Sequence, residues 1–176
     1  MANFIAKPMS TENIRRLVKE IRKRCGLDKR INVPVCHLFE WILGKMVQEF
    51  DWEIVPDDEM SEEGKTFTGA NKIEIRESVY ISACNGDGRA RFTIMHEIGH
   101  FFLHDPSRVA LCRSSSEEEP KTFEDPEWQA NAFAAEFLMD FDLIQGMNYK
   151  QISDECGVTY GAAKTRIGKL QGRWIV

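Results

Sequence analysis

The hydrophobic residues follow a helical period in the first third of the chain. Apolar side chains recur at helical spacing over residues 11–25, and Ser10 and Gly26 are suitable boundary residues for that helix. A second amphipathic helix is predicted to begin with Asn32 as its N-cap and Pro34 at its first position. Each predicted helix carries an apolar stripe and is therefore expected to pack against a core.

The spacing of the apolar residues becomes shorter in the middle of the chain and is typical of strands there. Residues 52–55 and 72–76 alternate between polar and apolar side chains, and the apolar run 79–81 follows them. These segments predict short strands of a small antiparallel sheet. The Asn/Gly/Asp/Gly run at residues 85–88 predicts a turn, and a helix is expected to follow over residues 89–104.

The last third of the chain returns to helical patterning. A polar surface loop is predicted over residues 105–126, followed by a helix over 127–139 and two short helices separated at Gly157. The whole pattern predicts a mainly helical α+β fold, with the small sheet packed near the helix that follows the turn. Residues 1–145 are expected to form the main domain, and residues 146–176 a small helix-turn-helix-like subdomain packed on it.

Composition and charge restrict the class of protein. The chain has 176 residues, of which 43% are hydrophobic and 29% charged, as in an ordinary globular domain. Its net charge of −5 argues against a dedicated nucleic-acid-binding protein. The 5 cysteines are scattered and form no CxxC pair, so reduced thiols are expected. Neither a signal peptide nor a membrane span is apparent, so a cytoplasmic location without a membrane partner is expected.

The helix predicted after the turn carries the sequence His96-Glu97-Ile98-Gly99-His100. Two histidines four positions apart lie on one helix face, about 40° apart, so both imidazoles can bind one metal ion at about 2 Å. Glu97 is rotated by about 100° from His96, so it can flank the metal and act as a general base. The pattern predicts a hydrolytic zinc site; the alternative is a packed helix with hydrogen-bonded structural histidines.

A catalytic zinc site needs three protein ligands and an open position for water, so one more ligand must come from another segment. Glu127 is the favoured candidate because it shares a helix face with Ala130 and Ala134, whose small side chains permit close approach to the histidine-bearing helix. Asn131 is a candidate to orient a ligand through a hydrogen bond. Glu136 is the alternative ligand, although it lies away from the Glu127 face.

Two further histidines are assigned other roles. His104 lies about 12 Å along the helix axis from His96, too far to join one coordination sphere with both other histidines. It is therefore expected to support a ligand or to pack. His37 is expected to be structural or exposed. One zinc ion per chain is predicted. Manganese or another divalent ion is an alternative, because the order of metal affinities alone does not determine which ion is bound.

Two sequence blocks resemble one known family. Residues 95–104 and 127–139 are similar to paired blocks of the ImmA/IrrE family of metallopeptidases, and paired blocks at this spacing are more specific than HExxH alone. Four shorter segments share the resemblance, namely residues 7–10, 32–35, 91–93 and 151–159. The chain departs from the family at Asp140, where members usually have proline. Because of this difference, the resemblance does not determine the residue at which the preceding helix ends.

The resemblance implies a zincin-like domain with a gluzincin-like site, in which His96, His100 and Glu127 hold zinc and Glu97 is the base. It also implies a substrate class, since family members act on DNA-binding repressors of the helix-turn-helix type, often in mobile elements or stress responses. The expected function is therefore a zinc-dependent endopeptidase of narrow specificity that cleaves such a repressor. The alternative is a non-proteolytic metal-binding regulator or antitoxin on a protease-like scaffold.

The C-terminal helices raise a third possibility, which is DNA binding. Lys164, Arg166, Lys169 and Arg173 make the last predicted helix basic, as in a recognition helix. The alternative is a helical subdomain that packs on the catalytic core or contacts a protein partner. The negative net charge and the family resemblance both favour this alternative, so direct nucleic-acid binding is not expected.

Overall fold

The computed structural model describes residues 4–104, 112–113 and 121–171, and it shows a mainly helical α+β fold. Its helices are α1 (Thr11–Arg24), α2 (Val35–His37), α3 (Leu43–Met46), α4 (Glu77–Cys84), α5 (Gly88–Leu103), α6 (Pro126–Leu138), α7 (Tyr149–Cys156) and α8 (Tyr160–Gln171). Its strands are β1 (Phe4–Ile5), β2 (Asp51–Val55), β3 (Gly64–Phe67), β4 (Lys72–Arg76) and β5 (Cys112–Arg113). The predicted fold class, mainly helical α+β with a small sheet, is confirmed.

The sheet differs from the predicted one in topology. Its strands run in the order β2-β4-β3, with β2 parallel to β4 and β3 antiparallel to β4, so the prediction of an antiparallel sheet is wrong. Strand β3 was not predicted, because the sequence Gly-Lys-Thr-Phe has little apolar alternation. A separate antiparallel pair joins β1 to β5.

The segment 79–81 is helical, and its prediction as a strand is also wrong. Helix α4 begins after Arg76, and the carboxylate of Asp57 accepts a hydrogen bond from the free backbone N–H of Ser78 in the first turn. Val79 and Ala83 are buried one helical turn apart, so the apolar residues serve a helix face. Three apolar residues in a row do not distinguish a strand from a buried helical turn.

Local hydrogen bonds explain where the helices begin, and one of the predicted N-cap residues is wrong. Ser10 caps α1 as predicted, since its side chain accepts from Asn13 N. Asn32 is not the cap of the second helix. Its side chain instead accepts a hydrogen bond from Arg91, and α2 begins at Val35 with Pro34 at the N-cap position. A π-helical segment, Leu38–Ile42, joins α2 to α3.

Asp140 stands where members of the family usually have proline, and the chain leaves the helix at this point through hydrogen bonds to the Asp140 side chain. Helix α6 ends at Leu138, and the buried Asp140 carboxylate accepts hydrogen bonds from Asp142 N and Leu143 N in the following turn. The same carboxylate lies 3.7 Å from the buried guanidinium of Arg22. The departure therefore falls after the end of α6, whereas the predicted ligand Glu127 lies in the first turn of that helix.

One hydrophobic core contains residues from both ends of the chain. Ile14 of α1, Phe133 of α6 and Ile152 of α7 belong to one buried cluster, together with Cys156 and Ala163. The C-terminal helices therefore pack on the same core as the rest of the protein. The domain division at residue 145 stays a prediction.

Some of the sequence predictions lie outside the described residues. These include most of the polar loop predicted over residues 105–126 and the basic residue Arg173. Within the described part of the chain, no helix combines the length and the apolar character needed to cross a lipid bilayer.

Candidate metal centre

Helix α5 presents two histidines side by side. Asp87 caps the helix by accepting a hydrogen bond from Ala90 N, and the helix then continues unbroken to Leu103. His96 and His100 lie one turn apart with their Nε2 atoms 2.9 Å from each other. The predicted pairing of these two imidazoles is present in the structure.

Helix α6 contributes the third group from its first turn. Asp125 caps the helix, and Glu127 follows directly after Pro126 at the first helical position. The Glu127 carboxylate lies 3.2 Å from His96 Nε2 through Oε2 and 3.3 Å from His100 Nε2 through Oε1. Among the described residues, these three form the only group of at least three potential metal-binding side chains whose ligand atoms all lie within 4.8 Å of one another.

The close approach of α5 and α6 depends on small residues. A Cβ atom on Gly99 would lie 3.1 Å from the backbone oxygen of Ala130 and 3.2 Å from Phe133 Cβ. Ala130 and Ala134 are fully buried. Gly99 thus shares the role predicted for the alanines, because it has no side chain at the point where α5 and α6 cross.

Glu136, the alternative ligand, is engaged elsewhere. Its carboxylate is 1% exposed and forms bidentate ion pairs with Arg166, at 2.6 and 2.7 Å, and with Arg15, at 3.0 Å for both contacts. Four strong donors saturate the two oxygens. The structure therefore does not place Glu136 in the group formed by His96, His100 and Glu127.

The outer nitrogen of each histidine has its own partner. His96 Nδ1 lies 3.1 Å from Asn131 Oδ1, the residue predicted to orient a ligand. His100 Nδ1 lies 3.0 Å from His104 Nδ1, and His104 Nε2 lies 3.0 Å from Gln129 Oε1. His104 thus supports a histidine of the site, which is one of the two roles predicted for it.

The amide of Gln129 fixes the tautomers along this chain of contacts, which we call the histidine relay (Gln129, His104 and His100). Gln129 Nε2 donates to the backbone oxygens of Lys7 and Phe123, both at 2.8 Å, so its Oε1 must accept from His104 Nε2. His104 Nδ1 is then the acceptor, and His100 Nδ1 is the donor. The Nε2 lone pair of His100 is left free and points toward His96 and Glu127.

The donor set fits a divalent metal ion. Asn131 accepts from His96 Nδ1, so both histidine Nε2 atoms present lone pairs, and the Glu127 carboxylate adds two acceptors. Burial, with His96 and His104 adjacent, lowers the pKa of His100 to about 3, so its imidazole is neutral at physiological pH. Acceptors that converge without a donor are stabilised by a cation, and two imidazoles with one carboxylate form a common catalytic zinc ligand set.

Glu97, the predicted base, lies beside this group in a buried position. The hydroxyl of Thr66 on β3 lies 2.7 Å from Glu97 Oε2 and 3.0 Å from the Glu97 backbone oxygen. Burial raises the pKa of Glu97, although the hydrogen bond from Thr66 and the neighbouring His96 oppose that shift. A carboxylate with a raised pKa is suited to accept a proton and to return it.

Strand β3 packs closely against Glu97 at Gly64. A Cβ atom on Gly64 would lie only 2.7 Å from Glu97 Cγ, so the absence of a side chain at this position permits the contact. Gly64 and Thr66 were not identified from the sequence, and neither was Gln129. Each acts through a contact with a residue on another element, which spacing within one segment does not reveal.

The remaining candidates lie apart from the site. His37 was predicted to be either structural or exposed, and it is exposed. Arg166 of the basic C-terminal helix is 5% exposed and points inward to Glu136, so it is not available to a phosphate backbone. Lys164 and Lys169 of the same helix are exposed.

Two packed helices that bring two histidines of an HExxH sequence and a downstream glutamate together define a metallopeptidase-like domain. The chain belongs to the Peptidase_M78 family, since its residues 47–167 match the family model described as the IrrE N-terminal-like domain. The match spans both helices of the candidate site and confirms the resemblance stated from the sequence. No curated protein matches the chain at a significant level.

Proposed function

We propose that this protein is a zinc-dependent endopeptidase of narrow specificity that cleaves a DNA-binding repressor of the helix-turn-helix type. The observation that carries the catalytic part is the convergence of His96, His100 and Glu127 next to the buried carboxylate of Glu97. A site that only binds metal has no need of a carboxylate held in this position. Family membership supports the peptidase class.

His96, His100 and Glu127 would hold the ion, which when bound supplies Lewis-acid chemistry to the water and to the scissile carbonyl. Glu97 accepts a proton from the attacking water and donates it to the leaving nitrogen. Thr66 keeps the Glu97 carboxylate in place through its hydroxyl. This is the gluzincin-like arrangement that the resemblance implies.

A protein substrate is compatible with the position of the site. The side chain of Glu127 is 69% exposed, so the ligand group opens to the surface. The repressor as substrate is inferred from the family resemblance, and the absence of a nucleic-acid partner from that resemblance and from the net charge of −5. The cytoplasm as location is inferred from the scattered cysteines, which form no CxxC pair and fit reduced thiols.

The deciding experiment compares the wild type with Glu97→Gln, which keeps the size of the side chain but cannot take up the proton. Each is expressed in the native host, and new protein N-termini are mapped by mass spectrometry. We expect a small number of new termini with the wild type, including one in a helix-turn-helix repressor, and none of them with Glu97→Gln. Termini that persist with Glu97→Gln would refute the mechanism. A wild type that yields no new termini although it binds zinc would instead favour the non-proteolytic regulator.

Metal content tests the ligand set separately. The purified wild type is expected to hold close to one zinc ion per chain, and Glu127→Ala to lose most of it. Elemental analysis also distinguishes zinc from manganese. Retention of the metal by Glu127→Ala would remove Glu127 from the ligand set, whatever the result of the cleavage experiment.

A further inference from the structure

Two cysteine thiols that the metal site does not use lie next to each other between α2 and α4. The Sγ atoms of Cys36 and Cys84 are 2.8 Å apart. A disulfide bond is about 2.0 Å long, so small side-chain rotations are enough to bring these sulfurs to bonding distance. Both residues are free cysteines in the structure, as the sequence led us to expect.

A second contact holds the two helical segments in register. The hydroxyl of Tyr80 donates a hydrogen bond to the Glu40 carboxylate. Tyr80 lies four residues before Cys84 on α4, and Glu40 lies four residues after Cys36, so the two contacts are successive links between antiparallel segments. The sulfurs therefore stay adjacent without depending on their own weak hydrogen bond.

The two thiols differ in accessibility. Cys84 is exposed, whereas Cys36 is half-buried. Burial, together with the hydrogen bond from Cys84, raises the pKa of Cys36 to about 12, so Cys36 keeps its proton at neutral pH. Cys84 is thus the sulfur that a dissolved oxidant meets first, and Cys36 is in position to react with the product.

We propose that Cys36 and Cys84 form a redox site that hydroperoxides convert into a reversible disulfide. Cys84 Sγ attacks one peroxide oxygen, the O–O bond breaks, and Cys84 becomes a sulfenic acid while the peroxide leaves as an alcohol or as water. Cys36 Sγ then bonds to the Cys84 sulfur, and the S–O bond breaks to release water, which carries the proton of Cys36. Two thiols lose two electrons and two protons, which the hydroperoxide accepts.

The disulfide would cross-link the two segments that flank the sheet. Strands β2, β3 and β4 all lie between residues 36 and 84, so the bond closes a loop that contains the whole three-stranded sheet. Closing such a loop restricts the unfolded chain and raises the melting temperature, by about 5 to 10 °C for a chain of this size. The proposal is independent of the peptidase function.

The test uses the full-length, zinc-loaded protein treated with a small excess of hydrogen peroxide. Mass spectrometry of the denatured, unreduced protein should show a loss of about 2 Da. A peptide map should contain the Cys36–Cys84 cross-linked peptide, and a phosphine reductant should reverse both changes. The peptide map is decisive on its own, because it needs no variant that has to fold.

Matched serine variants locate the reaction. Cys36→Ser and Cys84→Ser should each abolish the 2 Da loss. Cys25→Ser should retain it, because Cys25 contacts Met46 Sδ, at 3.1 Å, rather than a second thiol. A wild type that only gains oxygen, or a cross-link that joins other cysteines, would overturn the proposal.

Discussion

The imidazole of His104 and the amide of Gln129 meet at 3.0 Å between Nε2 and Oε1, and this contact determines which nitrogen His100 presents to a metal. We expect His104→Phe to weaken zinc binding about 10- to 100-fold. Phenylalanine keeps an aromatic ring in place but cannot accept the proton of His100 Nδ1, so His100 loses its preferred tautomer. Zinc affinity is measured by competition with a chromophoric chelator at fixed pH.

The control for this prediction is His37→Phe, which makes the same exchange at an exposed position of α2. Its zinc affinity should equal that of the wild type. Circular dichroism shows whether both variants are folded before the affinities are compared. If folded His104→Phe bound zinc as tightly as the wild type, the histidine relay would have no role in orienting His100.

Gly64 provides a test of the position of the base. The added methyl group of Gly64→Ala would lie 2.7 Å from Glu97 Cγ and 3.1 Å from Ile75 Cδ1, so the Glu97 side chain must move. A displacement of about 1 Å is expected to reduce cleavage about 100-fold. Zinc content should stay at the wild-type level, because the atoms nearest to the added methyl group belong to Glu97 and Ile75 and not to His96, His100 or Glu127. Cleavage is measured on the substrate found by terminus mapping.

Gly44→Ala is the matched control, since nothing lies within 4 Å of a Cβ atom at that position on α3. Its cleavage rate and zinc content should both match the wild type. Full activity in Gly64→Ala would show that Glu97 works equally well in a displaced position.

The basic C-terminal helix allows a direct test of nucleic-acid binding. Arg166 is buried, so Lys164 and Lys169 are the cations that α8 exposes within the described residues. Two exposed lysines on a chain of net charge −5 are too few for stable phosphate contacts. We expect no gel shift with duplex DNA at low salt. A shift that weakens steeply as salt rises would restore the DNA-binding interpretation.

The sequence predicted those parts of the site that depend on spacing within one helix. His96 and His100 share a face because they are four residues apart, and Glu127 shares a face with Ala130 for a similar reason. The partner of each helix was harder to predict. Gly99 adjoins Ala130 across the helix crossing, and that contact joins residues far apart in sequence.

The sheet and its contacts with the site were predicted only in part. The parallel pairing of β2 with β4 depends on the path of the chain between the two strands. The alternation of polar and apolar residues within each strand carries no information about that path. Thr66 reaches Glu97 across a separation of 31 residues. Likewise, Glu136 was suitable as a ligand by residue type, and only the fold shows that Arg15 and Arg166 bind it.

The ion pairs of Glu136 join α6 to α1 and α8, so they should stabilise the whole protein. Glu136→Gln removes the carboxylate that both Arg166 and Arg15 bind, and Arg166 is 5% exposed. We expect the free energy of unfolding to fall by about 3–5 kcal/mol, as measured by urea denaturation. Exposed Glu155 supplies the control, since Glu155→Gln should change stability little. At a temperature where Glu136→Gln is folded, it should still bind zinc, because Glu136 lies outside the ligand group.

The effect of Glu136→Gln should also depend on pH. Burial tends to raise the pKa of Glu136, but the hydrogen bonds from Arg166 and Arg15 outweigh burial, and the pKa lies below its ordinary value. A carboxylate with a lowered folded-state pKa stabilises the protein above its unfolded-state pKa, about 4.3, and this contribution is lost as the pH falls through the folded-state pKa. The stability difference between wild type and Glu136→Gln should therefore be constant at neutral pH and shrink as the pH falls below about 4. Urea denaturation over a pH series measures this difference, and a difference that widened in acid would contradict the assigned ion pairs.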